Sequence, residues 1–151
     1  KPFGIRAMDS MRLEKSYRLI PREMSIEYSA FESGLDRFIR LDKEANFIGK
    51  DALVEWQQRG SDNGFVTIEV LGVVDADARG SEAIYKDGEV VGRGTSGGYG
   101  WRCGKSLALG LVRVDLAKVG TELEIEILGK KYQAIVIEES PFDPKNECLR
   151  S

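Results

Sequence analysis

Not one of the 151 residues is histidine. That absence removes the Ser-His-Asp and Cys-His nucleophile systems and nearly every imidazole metal site. Proton transfer, if the chain takes part in any, falls to carboxylates, lysine, tyrosine or a cofactor. Cysteine is scarce as well. Cys103 and Cys148 are too far apart in sequence for a C-x-x-C pair, so neither a disulfide framework nor a zinc site is indicated, and a reducing, cytoplasmic setting is expected. No apolar run approaches the roughly 20 residues that cross a bilayer, and Lys1-Pro2-Phe3-Gly4 carries no apolar core of a secretory leader. No membrane partner is expected. An excess of basic charge is also missing. The net charge is −3, with 11 basic and 10 acidic residues up to Gly60 and 11 against 15 beyond it. Neither part has the basic surface of a nucleic-acid binder.

What is present is a globular composition, 42% hydrophobic and 31% charged. The chain starts on Lys1 and runs straight into ordered-looking sequence; it reads as a piece of a longer protein. Glycine is concentrated in one place. Six of the 17 glycines fall between Gly92 and Ser106, interleaved with Tyr99, Trp101, Arg93, Arg102 and Lys105. Glycine at this density permits positive φ and close approach of another surface, so the stretch predicts a broad functional loop between two strands, presenting Tyr99, Trp101 and Arg102. Two motif matches inside it fail on context. Gly92-Arg93-Gly94-Thr95-Ser96-Gly97 fits a dinucleotide fingerprint but opens no helix. Gly104-Lys105-Ser106 copies the end of a phosphate-binding loop whose first glycine would have to be Tyr99. The two aromatics either pin the loop by packing or face a ligand. Cys103, between Arg102 and Lys105, has either a lowered pKa or the role of an inert small residue.

Along the chain, Gly4 to Tyr17 favours a helix. Ile5, Met8 and Arg12 share one face of it, so Arg12 makes either a buried ion pair or an anion contact. Arg12 and Glu14 cannot face each other and must find partners elsewhere. Leu35 to Leu41 alternates like a strand with Arg37 on an otherwise apolar face, and Gly49 to Arg59 is a second helix stopped by Gly60. Ser61-Asp62-Asn63-Gly64 reads as a turn, dividing a first domain, 1–61, from a second, 62–151. Beyond it come short strands: Phe65 to Val74, a hairpin turning at Lys86-Asp87-Gly88, Leu107 to Val114, Glu122 to Leu128 with one wet glutamate face, and Tyr132 to Glu138. Some six strands without intervening helices predict a small antiparallel barrel or sandwich.

The run Gly4-Ile5-Arg6-Ala7-Met8-Asp9-Ser10-Met11-Arg12-Leu13-Glu14-Lys15-Ser16-Tyr17-Arg18 resembles a helix of the glycine cleavage T-protein (aminomethyltransferase) family. Glu32-Ser33-Gly34-Leu35, Phe47-Ile48-Gly49-Lys50-Asp51-Ala52-Leu53 and Thr95-Ser96-Gly97 with Gly104-Lys105-Ser106 follow in that family's order. Arg12-Leu13-Glu14-Lys15 and Gly97-Gly98-Tyr99-Gly100 are more similar to the folate domains of dimethylglycine and sarcosine dehydrogenases. The resemblance implies an α+β chain: the end of an α/β folate-binding subdomain, then a six-stranded antiparallel β-barrel. It implies part of a tetrahydrofolate-dependent one-carbon transferase, partnered by an upstream domain of the same polypeptide in which FAD is possible. The family's catalytic aspartate and pterin-binding glutamate lie upstream, so no catalytic residue is assigned, Asp9 included, and the chain alone is expected to be inactive. In the glycine cleavage type an arginine stands where Met8 is and a tryptophan where Arg37 is, and both contact folate. The residues expected to meet folate here are Tyr99, by stacking or a hydrogen bond, and Arg37 or Arg102, pairing with the glutamate tail. The alternative is a noncatalytic binding barrel of the same fold, folate-sensing or linked to RNA modification. A basic patch around Arg93, Arg102 and Lys105 would favour it.

Overall fold

In the computed structural model, which describes residues 2–151, the sheet closes on itself. Its strands are β1 (Asn63–Val70), β2 (Ala83–Lys86), β3 (Glu89–Gly100), β4 (Lys105–Arg113), β5 (Glu122–Ile127) and β6 (Lys130–Ile137). All pairings are antiparallel, in the order β1-β4-β3-β2-β5-β6, and β6 returns to β1 to close a six-stranded barrel. Period-two alternation fills the interior: Val66, Ile68 and Val70 from β1, Ala108 and Val112 from β4, Leu123, Ile125 and Ile127 from β5, and Ala134 and Val136 from β6. Ile84 of β2 and Val91 of β3 complete the circle, and Ala78 enters from the loop before β2. The β2–β3 turn takes positive φ at both Asp87 (52°) and Gly88 (83°), the pairing of dihedrals that a two-residue hairpin needs.

β4 differs from its neighbours. Ser106 to Val112 is buried without interruption, as expected of a strand covered on both faces. Its outer residues Leu107 and Leu109 meet Leu13 of helix α1 (Ile5–Glu14), with Phe65 and Ile137 at the margins. The segment after α1 stays on the same side of the barrel. Ser16 and Thr67 share a 2.7 Å hydrogen bond, the Arg18 guanidinium lies 3.8 Å over the Phe65 ring, and Phe65 N–H donates to the Glu32 carbonyl. The C-terminal tail returns to this place too. Lys15 Nζ donates to the carbonyls of Phe142 and Asp143 and to Asn146 Oδ1, and Ser140 Oγ donates to the Lys15 carbonyl. The turn at 61–64 therefore marks where the sheet begins, not where contact between the two parts ends.

Helix α2 (Lys50–Arg59) buries no residue. Leu35 to Leu41 is not a strand. Asp36–Phe38 forms a single 3-10 turn closed by Phe38 N–H to Leu35 O and Ile39 N–H to Asp36 O, both 2.9 Å. Alternation alone makes no strand without a free edge to pair with, and the barrel offers none. β1 stops at Val70, before Leu71 and Gly72. One further 3-10 turn, Val114–Leu116, connects β4 towards β5. The largest correction concerns the glycine-rich stretch: β3 runs through it to Gly100, β4 starts at Lys105, and only Trp101 to Cys103 with Gly104 (φ 65°) turn between them.

Candidate functional site

The glycines of β3 accommodate other parts of the same chain. A Cβ on Gly97 would sit 2.5 Å from the Ala78 carbonyl oxygen, and one on Gly98 would sit 3.2 Å from Leu13 Cδ1. Close approach was legible in the sequence; its partners are α1 and the Ala78 loop. The strand is then fixed from outside. Ser10 Oγ donates to the Tyr99 carbonyl at 2.6 Å, and the buried Glu14 carboxylate accepts the N–H groups of Arg102 and Cys103. Glu14 thus finds its partner across the β3–β4 turn.

Arg12 finds one partner a turn back on its own helix and the others beneath it. Its Nε lies 2.5 Å from Asp9 Oδ1, Nη1 is 3.6 Å from Glu23 Oε2, and Nη2 donates to Ser96 Oγ at 2.8 Å. Glu23 is wholly buried, and it also accepts from the hydroxyls of Thr95 and Ser96, each at 2.6 Å, and from Leu19 N–H at 2.8 Å. A buried carboxylate so surrounded is compensated. Above this network opens a cleft of about 330 Å³ lined by the apolar side chains Ile5, Met8 and Leu19, by the cations Arg6, Arg12, Arg22 and Arg79, and by Asp9, whose carboxylate is taken up by Arg12. Arg22 reaches the Arg79 carbonyl and Ser96 Oγ. Neither Arg22 nor Arg79 forms an ion pair among the described residues. An apolar wall facing unpaired guanidinia suits an aromatic carboxylate.

The three residues expected to meet folate do not form one site. Arg37 is exposed within the 3-10 turn, its guanidinium over its neighbour Phe38 at 4.9 Å. Its segment is tied through Glu32 to Asn63, at the start of β1. Tyr99 pairs with Ser106, which faces Val70 at the other end of β1, a strand length of roughly 20 Å away. Tyr99 lines a second opening with Trp101, Asp75 and Asp77, while Arg102 turns towards the Phe142 ring, 5.8 Å distant. Arg79 lies just beyond Asp77, so the groove and the cleft flank one loop. Sequence reasoning missed Glu23, Arg22 and Arg79. They lie in irregular segments with no periodicity, and only the pairing demand of Arg12 pointed to Glu23.

The Cys103 thiol is pushed up, mainly by burial and then by the Glu14 carboxylate, against the opposing pull of Lys105. Of the two readings of Cys103, the inert residue fits. Among the described residues, two of the three cations of the expected basic patch are neutralised: Arg93 is paired with Glu27 at 2.6 Å and Lys105 with Glu69 at 2.5 Å. No cluster of three metal-ligating side chains occurs among the described residues.

Comparison with known proteins gives this geometry a family. The glycine cleavage T-protein C-terminal barrel domain matches residues 64–143, and the GCVT N-terminal domain matches residues 1–43. The mitochondrial dimethylglycine dehydrogenase of Homo sapiens is 42% identical over 137 residues, covering 91% of this chain and 16% of that protein. An aminomethyltransferase of Synechocystis sp. is 38% identical, covering 90% of this chain and 36% of that protein. The crystal structure of glycine cleavage system aminomethyltransferase T from Bartonella henselae superposes with a TM-score of 0.85 at 26% identity, covering 93% of this chain and 39% of its own. The chain thus spans between about a sixth and two fifths of the length of these relatives. With a closed barrel of the matching topology behind these matches, the chain belongs to the glycine cleavage T-protein C-terminal barrel domain family.

Proposed function

We propose that this chain is the C-terminal part of a tetrahydrofolate-dependent aminomethyl or one-carbon transferase of the dimethylglycine dehydrogenase-like kind, and that it contributes one wall of the folate site. The observation that carries the reading is the cleft, in which Ile5, Met8 and Leu19 meet Arg22 and Arg79, the guanidinia left without an ion pair once Asp9 and Glu23 take Arg12. At about 330 Å³ it lies at the small end of ligand pockets. It fits the benzoyl ring and a carboxylate of a folate, not the whole molecule. The pterin end then falls to an upstream domain of the same polypeptide, where FAD would also reside. Tetrahydrofolate, when bound, supplies the acceptor for the one-carbon unit. This chain's own part is to hold the ring on its apolar wall and pair the carboxylate. We therefore move the ligand from Arg37, Tyr99 and Arg102 to the guanidinium cleft, because the former point to separate surfaces.

No residue here takes an acid–base role, so the isolated chain is proposed to be inactive in transfer. The proposed setting is cytoplasmic, although the human relative is named mitochondrial. No helix among the described residues is long and apolar enough to cross a membrane. The test is titration of the chain with para-aminobenzoyl-glutamate. Arg22→Ala and Arg79→Ala should each weaken binding about tenfold, and Arg37→Ala should leave it unchanged. Binding indifferent to both cleft arginines would overturn the assignment.

A further inference from the structure

The groove beyond the Asp77–Arg79 loop has a different chemistry. Val73, Val74, Asp75 and Asp77 line one side of a space of about 470 Å³, and Tyr99 and Trp101 line the other. The two rings meet edge to face, with centroids 4.9 Å apart and planes inclined at 74°, so they form a corner. Trp101 is 80% exposed and Tyr99 38%, an unusual amount of aromatic surface to leave in water. The corner is held from behind through the backbone, by Ser10 at Tyr99 and by Glu14 at Arg102 and Cys103. Ser106 Oγ donates to Asp77 Oδ1 at 3.1 Å and so orients that carboxylate.

Neither half of the groove has a cationic partner. Elsewhere in the molecule cations lie over aromatic rings: Arg18 over Phe65, Arg59 over Trp56, Arg93 over Tyr28, Lys131 over Tyr85. Among the described residues none lies over Tyr99 or Trp101, and neither Asp75 nor Asp77 forms an ion pair. Of the nearby cations, Lys105 is committed to Glu69 and Arg102 lies towards the Phe142 ring, while Arg79, just past Asp77, lines the folate cleft instead of this groove.

We propose that this groove is a binding site for an alkylammonium group, which the Tyr99–Trp101 corner takes by cation–π attraction and Asp75 and Asp77 neutralise. Tryptophan is the ring that attracts such cations most strongly, and the attraction holds at exposed sites as well as buried ones. The carboxylates supply the charge that an aromatic corner alone lacks. The group can come from a free methylated amine or from a lysine side chain of a protein partner. In either case the site stands apart from the folate cleft, so it holds or fails independently of that reading.

The test follows the indole N–H resonance of Trp101, assigned with Trp101→Phe, in the 151-residue chain. Choline, n-butylammonium and the neutral carbon isostere of choline are titrated in turn. At least one cation should give a saturable shift, with the neutral isostere giving none. Asp75→Asn combined with Asp77→Asn should weaken binding by about fivefold or more. Methyl signals of Ile68 and Ile84 report whether the barrel survives. Should that variant unfold, the exposed single change Asp75→Asn decides. Tighter binding of choline assigns the site to methylated amines, and tighter binding of n-butylammonium assigns it to a lysine side chain. Equal shifts with the neutral isostere, no saturable shift, or binding untouched by loss of the carboxylates would overturn the proposal.

Discussion

One barrel has two outer faces, and they obey different rules. On the β5 side the outward residues are Glu122, Glu124 and Glu126; Gln133 and Lys131 meet Glu124, and the Tyr85 hydroxyl donates to Glu126. On the β4 side they are Leu107 and Leu109 under Leu13 of α1. The interior is equally apolar behind both. The difference shows that the N-terminal segment up to Gly34 does for β1, β3 and β4 what solvent does for β5, and that Gly98 and Gly100 of β3 leave room for Leu13 and Glu14 to do it.

This contrast makes its own tests. Leu13→Ala opens a hole under α1 and should cost about 2–5 kcal/mol, read by denaturant unfolding. A cost below about 1 kcal/mol would mean that α1 is only loosely seated. Gly97→Ala forces a methyl group against the Ala78 carbonyl and should cost about 1–3 kcal/mol, lowering Tm by several degrees. On the wet face, Lys131→Ala removes an exposed partner of Glu124 and a cation over the Tyr85 ring, and should change stability by about 1 kcal/mol or less. A loss there comparable to that of Leu13→Ala would erase the distinction between the faces.

Two smaller effects concern titration. Burial works to raise the Glu32 carboxyl, but hydrogen bonds from Ser29 and Asn63 outweigh it and leave the group below the usual carboxylate range. Because its folded pKa is lowered, its contribution is full above the unfolded value and is lost as pH falls through the folded one. Glu32→Gln should therefore flatten the fall in stability below about pH 4, while changing its pH dependence little near neutrality. Cys103, pushed up by burial and by Glu14, should alkylate roughly tenfold more slowly than exposed Cys148 at about pH 8, as followed by mass spectrometry.

The legible parts of the sequence were those whose signal is local. The Asp87-Gly88 turn, the alternation from Glu122 to Ile127 and the unbroken apolar run from Leu107 to Val112 each carry their structure in a few residues. The family resemblance was legible through motifs. The span from Gly92 to Ser106 misled because glycine permits both a loop and a crowded strand, and only the facing surface decides between them. Arg22, Glu23 and Arg79 were silent because their meaning depends on residues 57 to 73 positions away.

The clasp at Lys15 carries a consequence in time. The groups it holds, from Phe142 to Asn146, lie about 130 positions further along the chain, and β1 cannot complete its ladder until β6 has been made. A ribosome that has released α1 and the first four strands has delivered a sheet with an open seam, its apolar strand edges unmatched. Contacts of such long sequence separation are slow to form and are exposed to mispairing meanwhile. The ladder closes once β6 has been made and the clasp only after residues 142–146 have followed, so removing the residues after Ser140 should delay refolding more than it lowers the stability of the finished barrel.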